Sequence, residues 1–328
     1  MVRRNKRSVG VGVTACAALV LSACGGDIAE QEAQNEEQAQ ARGAGECDDL
    51  NMAVHPWVGY EADAYVVGHV AEQELGCTVE YKELKEELTW PEFGTGEVDV
   101  IIEDWGHEDL EKQYFAESGD GTAMAFGPTG NEGIIGWYVV PWLAEEYPDI
   151  TTWENLNQYS DMFETSESDG KGQFLGSDPS YVQFDEAIVE NLDLDFKVVF
   201  SGSENASIAA FRKAEENKEP LIGYFYEPQW FMSEVPLVKV ELPKYTEGCQ
   251  DVPAEVDCDY PVTELKKIVS TEWVEEDSAA VGLVENFSWT NEDQNVVAAY
   301  IAQDGMSAED AAAKWVEENP DVVESWLG

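Results

Sequence analysis

Gly96-Glu97-Val98-Asp99-Val100-Ile101-Ile102-Glu103-Asp104-Trp105-Gly106-His107 is the stretch on which the fold turns. Val98, Val100, Ile101 and Ile102 are apolar and β-branched, and they read as a short buried strand. The run stops at Asp-Trp-Gly-His, where a loop or a helix start must follow. A large aromatic therefore sits at the C-terminal tip of a strand, where open α/β sheets bind their ligands. A single tryptophan so placed is more often a core plug. A binding role needs companions.

Outward from that strand, short apolar runs alternate with amphipathic ones. The pattern predicts a strand over 51–58, a helix over 61–75, a strand over 78–84 and helical structure over 90–95. Repeated βαβ implies a mostly parallel sheet with helices on its faces. Gly127-Pro128-Thr129-Gly130 reads as a break, followed by a strand over 134–140 closed by Pro141. A second α/β unit follows, with helices over 153–159, 185–192 and 206–217 and strands over 172–175, 197–201, 221–226 and 237–242. The tail from Val262 reads as helical, with helix starts at Asn291 to Gln294 and Ser307 to Asp310.

The 328 residues suggest two domains of roughly 150 residues each. The first segment belongs to neither. Arg3, Arg4, Lys6 and Arg7 form a basic head, Val9 to Leu21 an apolar body too short to span a bilayer, and Leu21-Ser22-Ala23-Cys24 a small-residue cleavage site. This is an export signal over 1–23. The tetrapeptide resembles the bacterial lipobox, so Cys24 is expected to carry the lipid that anchors the chain to the outer face of the cytoplasmic membrane. Residues 24–46, rich in Glu, Gln, Ala and Gly, are expected to form a flexible tether.

Cys47, Cys77, Cys249 and Cys258 remain in the exported part. Four thiols suggest two disulfides with three possible pairings, and closeness in sequence favours Cys47 with Cys77 and Cys249 with Cys258. A zinc site is the weaker reading, because no Cys-x-x-Cys is present and no histidine sits at ligand spacing from a cysteine. No metal or cofactor is expected. Loss of the signal leaves 14 basic residues against 68 acidic ones, a net charge of −54. A field of that sign repels phosphates and argues against nucleic acid as a partner. A salty exterior is one habitat to which such a surface is suited.

Other aromatics share the position of Trp105. Trp57 and Tyr60 follow the first strand, Trp137 and Tyr138 lie in the strand after the break, Tyr181 belongs to Asp178-Pro179-Ser180-Tyr181, and Tyr224, Tyr226 and Trp230 to Gly-Tyr-Phe-Tyr-Glu-Pro-Gln-Trp. Electron-rich rings without an obvious base or nucleophile suit a cation that cannot donate hydrogen bonds, such as a quaternary ammonium. Sugar stacking is the competing use, but a sugar site also needs a ring of polar partners, and Arg42 and Arg212 are the only arginines after the signal. The chain has no Gly-x-Ser-x-Gly elbow, His-Glu-x-x-His, Walker loop or Rossmann fingerprint, so an enzyme is not expected.

Four runs then become specific: His-Pro-Trp-Val-Gly-Tyr-Glu-Ala-Asp at 55 to 63, the opening stretch at 96 to 107, Gly-Ser-Asp-Pro-Ser-Tyr at 176 to 181 and Gly-Tyr-Phe-Tyr-Glu-Pro-Gln-Trp at 223 to 230. In this order they resemble the substrate-binding proteins of bacterial ABC importers for glycine betaine and related quaternary amines. The resemblance runs from about Asn51 to the C-terminus. It implies an α/β, two-domain clamshell of the periplasmic-binding-protein type II class, with domain I over 47–133 and 232–328 and domain II over 134–231. It implies a monomer that delivers glycine betaine to an ABC permease and its ATPase for osmoprotectant uptake. A choline or carnitine binder of the same type, or a sugar-binding lipoprotein, is the alternative.

By the same resemblance, the ligand's trimethylammonium enters an aromatic box made of Trp105, Tyr181, Tyr226 and Tyr60, with Trp57 and Trp137 as further wall candidates. The N–H groups of Val182 and Gln183 are the implied carboxylate donors, and His107 is a candidate carboxylate partner. His55 and His69 are read as structural. Some members carry tryptophan where this chain has Tyr181 and Tyr226, and in some the histidine lies further along than His107. Glu61, Asp63, Glu103 and Asp104 are candidates for a counter-charge to the cation. Choline, which has no carboxylate, needs one, whereas a betaine is weakened by one near its own carboxylate.

Overall fold

The computed structural model describes residues 47, 49–181, 183–276 and 278–328. The export signal, Cys24, the tether and Val182 lie outside the described residues. The strands are β1 (Asp49–Val54), β2 (Thr78–Glu83), β3 (Val100–Asp104), β4 (Ala123–Val139), β5 (Gly172–Gly176), β6 (Phe196–Phe200), β7 (Ile222–Glu227), β8 (Val238–Lys239) and β9 (Val262–Ser270). They form a continuous sheet in the order β2-β1-β3-β9-β4-β7-β5-β6, with β8 paired to β4.

Each flank of that sheet is parallel. β1 pairs in parallel with β2 and β3, and β5 with β6 and β7. The helices Val58–Val70 and Glu204–Asn217 are connections of the crossover kind that parallel pairing demands. The all-buried runs of β3 and the first five residues of β7 are what a strand covered on both faces requires. The antiparallel strands β4 and β9 join the two flanks. The α/β class with two sheet halves flanked by helices is thus present.

Three readings of local structure need correction. The Gly127–Gly130 run does not end a strand, because β4 continues through it with register shifts between Ala125 and Pro128 and between Pro128 and Glu132. The positive φ of Gly127 (91°) and Gly130 (88°) makes those irregularities possible, and Pro128, which cannot donate to a ladder, sits between the two shifts. Here turn chemistry bends a strand rather than stopping it. The tail from Val262 begins as strand β9, not as helix. Its Glu264, Lys266 and Lys267 suit a helix locally, but pairing on both sides by β3 and β4 decides otherwise. Lys267 is buried and donates to the carbonyls of Glu285 and Phe287 at the end of the helix Ala279–Asn286 (2.9 and 2.7 Å), and burial lowers its pKa to about 8. Finally, the strand expected over 237–242 shrinks to the two residues of β8.

The C-terminal helices follow their caps. Thr290 and Asp293 form a capping box for Asn291–Ala302, and Ser307 accepts from the Asp310 N–H at the start of Ala308–Glu318. Both pack against Val58–Val70. Disulfides join Cys47 to Cys77 and Cys249 to Cys258. Among the described residues, no helix is long and apolar enough to cross a membrane.

Candidate functional site

The carboxyl ends of β1, β3, β5 and β7 lead to one cavity of about 400 Å³. Trp57 stands just ahead of the helix Val58–Val70, and Trp105 is the first residue after β3. Tyr181 closes the turn after β5, where Asp178 accepts from the Ser180 N–H (2.8 Å) and hydroxyl (2.7 Å) and its carbonyl accepts from the Tyr181 N–H (3.0 Å). Tyr226 is the next-to-last residue of β7 and precedes a cis Glu227–Pro228 bond.

These four rings form a chain of edge-to-face contacts. Trp57 meets Tyr181 at 5.6 Å and 81°, Tyr181 meets Tyr226 at 6.3 Å and 84°, and Tyr226 meets Trp105 at 5.7 Å and 85°. Near-perpendicular neighbours are the arrangement that aromatic quadrupoles favour. Glu103, fully buried, completes the ring of contacts from behind, because one of its oxygens accepts from both indoles, Trp57 Nε1 at 2.9 Å and Trp105 Nε1 at 2.7 Å. The flank carrying β1 and β3 supplies the tryptophans, and the flank carrying β5 and β7 the tyrosines.

Two hydrogen bonds tie the flanks together at this point. The Tyr181 hydroxyl donates to the Pro56 carbonyl (3.2 Å), and the Val58 N–H donates to Glu204 (3.1 Å). Glu204 also accepts from the Tyr226 hydroxyl and Gln229 Nε2, each at 2.5 Å. Burial pushes its carboxyl up to about 6, against the lowering effect of those three donors. The Tyr226 wall is therefore fixed by the same group that grips the start of Val58–Val70.

The rest of the cavity is lined by Tyr224, Tyr260, Phe184, Ile135, Gln250, Thr263 and Lys266, with Glu86 and His107 on one side. His107 Nδ1 lies 2.7 Å from Asp104, and its Nε2 lies 3.4 Å from Glu86. Burial alone would lower the His107 pKa, but the Glu86 charge and bonds to both carboxylates hold it well above 6.5. Glu86, Asp104 and His107 bring three potential metal donor atoms within 4.8 Å of one another. An imidazolium between two carboxyl groups already balances that cluster, so its geometry does not require an ion.

Several sequence-based assignments move. Tyr60 is fully buried, accepts from the Ile102 N–H (3.1 Å) and meets Trp57 edge-on at 5.3 Å. It buttresses the box and is not among its walls, because its side chain lies under the first helix rather than at the strand tip. Trp137 is likewise buried away from the cavity, packed on Phe174 at 4.4 Å, and donates to Asp185 at 2.7 Å. Asp185 also accepts from the cavity-lining Tyr260 hydroxyl (2.9 Å), so Trp137 acts two bonds behind the surface. The side-chain amide of Gln183 donates to the Asp178 carbonyl (2.7 Å), which leaves its backbone N–H out of that bond. Trp57, Trp105, Tyr181, Tyr226 and His107 do line it. His55 is buried against Thr89 (3.0 Å), with burial lowering its pKa to about 3.

Sequence reasoning missed Glu204, Tyr260, Phe184, Gln250 and Lys266. Lys266 lies on the strand read as helix, and it pairs with Glu111. Only a correct placement of β9 brings Tyr260 to Lys266 to the cavity. Glu204 carried a weak signal, being the first helical residue after the N-cap Ser203.

With this geometry in hand, likeness to known proteins is decisive. Residues 48–318 match the family described as the substrate binding domain of ABC-type glycine betaine transport systems. The chain belongs to this family. Its members are solute-binding proteins of importers, which work outside the cytoplasm, and not enzymes. The trimethylamine N-oxide-binding protein of Pelagibacter ubique is 26% identical over 282 residues, covering 83% of this chain and 88% of that protein. The glycine betaine/carnitine transport binding protein of Listeria monocytogenes is 28% identical over 136 residues, 42% of this chain and 41% of that one. In fold, the chain resembles lactococcal OpuAC closed on glycine betaine (TM-score 0.67, 19% identity, 86% of this chain and 100% of that chain). It equally resembles a choline-binding protein in complex with choline (TM-score 0.67, 20% identity, 88% and 92%).

Proposed function

We propose that this protein captures glycine betaine, or a closely related quaternary amine, between its two sheet halves and hands it to an ABC permease. The single observation that supports this reading is the box of Trp57, Trp105, Tyr181 and Tyr226, whose rings meet at 81 to 85° beside the cavity they line. A desolvated ring face contributes about 0.5–2 kcal/mol to a cation. Four such faces supply about 2–8 kcal/mol before ordering costs, short of the roughly 8.2 kcal/mol of micromolar binding, so the polar wall must contribute the rest. Lys266 and Gln250 are the cationic and amide groups on the remaining wall, suited to the ligand's carboxylate.

In this reading 47–133 with 232–328 and 134–231 act as two lobes. The Tyr181–Pro56 and Glu204–Val58 bonds form as the lobes close on the ligand. The Cys24 lipid holds the protein at the membrane as a monomer, and palmitate labelling of wild type against Cys24→Ala tests that anchor.

One observation favours a second reading. Glu86 lines the cavity, and a carboxyl group there is a partner that a choline, with no carboxylate of its own, would use. Isothermal titration with glycine betaine, choline, carnitine, trimethylamine N-oxide and a sugar panel decides among these. Heat from glycine betaine with none from the sugars is expected, and silence from every quaternary amine overturns the proposal. Trp105→Ala should lose at least tenfold in affinity, about 1.4 kcal/mol. Unchanged binding would remove Trp105 from the box.

A further inference from the structure

The box that would face the ligand's ammonium is made of neutral rings, while the charged lining residues Glu86, His107, Glu108, Glu111 and Lys266 are not part of it, so the buried anion nearest the rings matters. Glu103 is not exposed to the cavity. It lies one layer behind, with both indole N–H groups on a single oxygen, at 2.9 and 2.7 Å. Its second oxygen accepts from Gln294 Nε2, whose amide oxygen is in turn held by Asn131 Nδ2 (3.0 Å). The neighbouring carboxyl, Asp63, has an oxygen without a partner, whereas Glu103 receives three N–H donors. Burial first and the Glu103 charge second hold Asp63 well above the usual carboxylate range. Of the pair, Glu103 is the one on which N–H donors converge.

We infer that Glu103 is the counter-ion of the bound ammonium, acting through the two indoles rather than by contact. Two effects follow from the geometry. An anion at the N–H edge of an indole pushes electron density toward its face and raises its attraction for a cation. The same shared oxygen fixes the two rings relative to each other, so neither has to be ordered by the ligand. An anion set behind the rings also avoids the carboxylate end of a betaine, which a carboxylate in the cavity itself would repel. A charge hidden behind the tryptophans therefore serves a zwitterion as well as it serves a simple cation.

This inference rests on the quaternary-amine reading above, and Glu103 is a positioning residue. Two variants separate charge from geometry. Glu103→Gln keeps an oxygen for both indoles and removes the charge, but turns its amide nitrogen toward the Gln294 Nε2 donor; Glu103→Asp keeps the carboxylate and withdraws the oxygen by one methylene. Titration calorimetry with glycine betaine is run on each after near-ultraviolet circular dichroism has confirmed the fold. Glu103→Gln is expected to lose about tenfold or more, and Glu103→Asp distinctly less. The reverse ranking, or equal losses, overturns the inference by showing that Glu103 only shapes the rings. The swap Glu103→Gln with Gln294→Glu, measured beside it, restores the pairing between these two side chains, leaves Asp63 facing a carboxylate where it accepted an N–H, and moves the charge one side chain further from the box. It is expected to bind about threefold or more weaker than wild type, and wild-type affinity in the swap overturns the inference. If wild-type protein binds no quaternary amine, the functional reading itself fails, which is a different result from either ranking.

Discussion

Gly133→Ala tests the box without touching any of its rings. Gly133 lies on β4 opposite Thr263 of β9, and Trp105 lies over it. A Cβ there would come 2.5 Å from Trp105 Cζ3 and 2.8 Å from both Trp105 Cε3 and Leu265 Cδ2. Ordinary contact begins at 3.4 Å, so the nearest ring atom must retreat by 3.4 minus 2.5, or 0.9 Å. Gly133 does not have the positive φ that would strain an alanine, so the clash falls on side chains rather than backbone. Leu265 is fully buried and has little room to give, which leaves Trp105, half-buried and facing the cavity, as the group that moves. Overpacking of this kind costs about 1–3 kcal/mol of stability. Moving one wall of the box forfeits much of its share of about 0.5–2 kcal/mol in binding, or roughly 2- to 30-fold in Kd. Calorimetric titration with glycine betaine and a thermal melt of the ligand-free protein measure the two separately. A folded variant whose Kd stays within twofold of wild type would refute the placement of Trp105 against the ligand.

Glu204 ties pH to stability. Its folded pKa of about 6 lies above the ordinary 4.5, so between those values the native state holds a proton that the unfolded chain releases, and unfolding free energy falls as pH rises through that window. Glu204→Gln should remove its share of this slope, so that the difference in stability between wild type and variant changes with pH in melts run from pH 4 to 7; a parallel offset at all pH values would contradict it. The Cys47–Cys77 bridge spans 30 residues and Cys249–Cys258 spans 9. Chain entropy makes the longer loop worth about 1 kcal/mol more, so denaturant melts of the two double Cys→Ala variants should rank in that order.

Trp105, Tyr181, Tyr226 and Trp57 were legible in the chain because each stands beside a local signal: a β-branched run that stops, an Asp-Pro turn, or a strand ending before a proline. Those signals are short-range, and so is the periodicity that marks the parallel strands of each flank. Tyr60 and Trp137 carry signals of the same kind and yet line no part of the cavity, since which face of an element looks into a cleft depends on what packs against its other side. β9 was illegible for a related reason. Its charged residues favour helix on their own, and two neighbouring strands from far along the chain, β3 and β4, override them.

The sequence by itself determined the class of the fold, the parallel strands of each flank and the aromatic character of the strand tips, all of which depend on residues near one another in the chain. Only the tertiary structure decided that four rings from two flanks meet edge to face, that Tyr60 supports rather than lines, and that Glu103 and Glu204 hold the walls from behind. Trp57 and Glu103 are 46 residues apart, Val58 and Glu204 146, and Glu103 and Gln294 191. No local propensity carries that information. It arises when burial leaves each polar group to find the partner that the packed core has brought within reach.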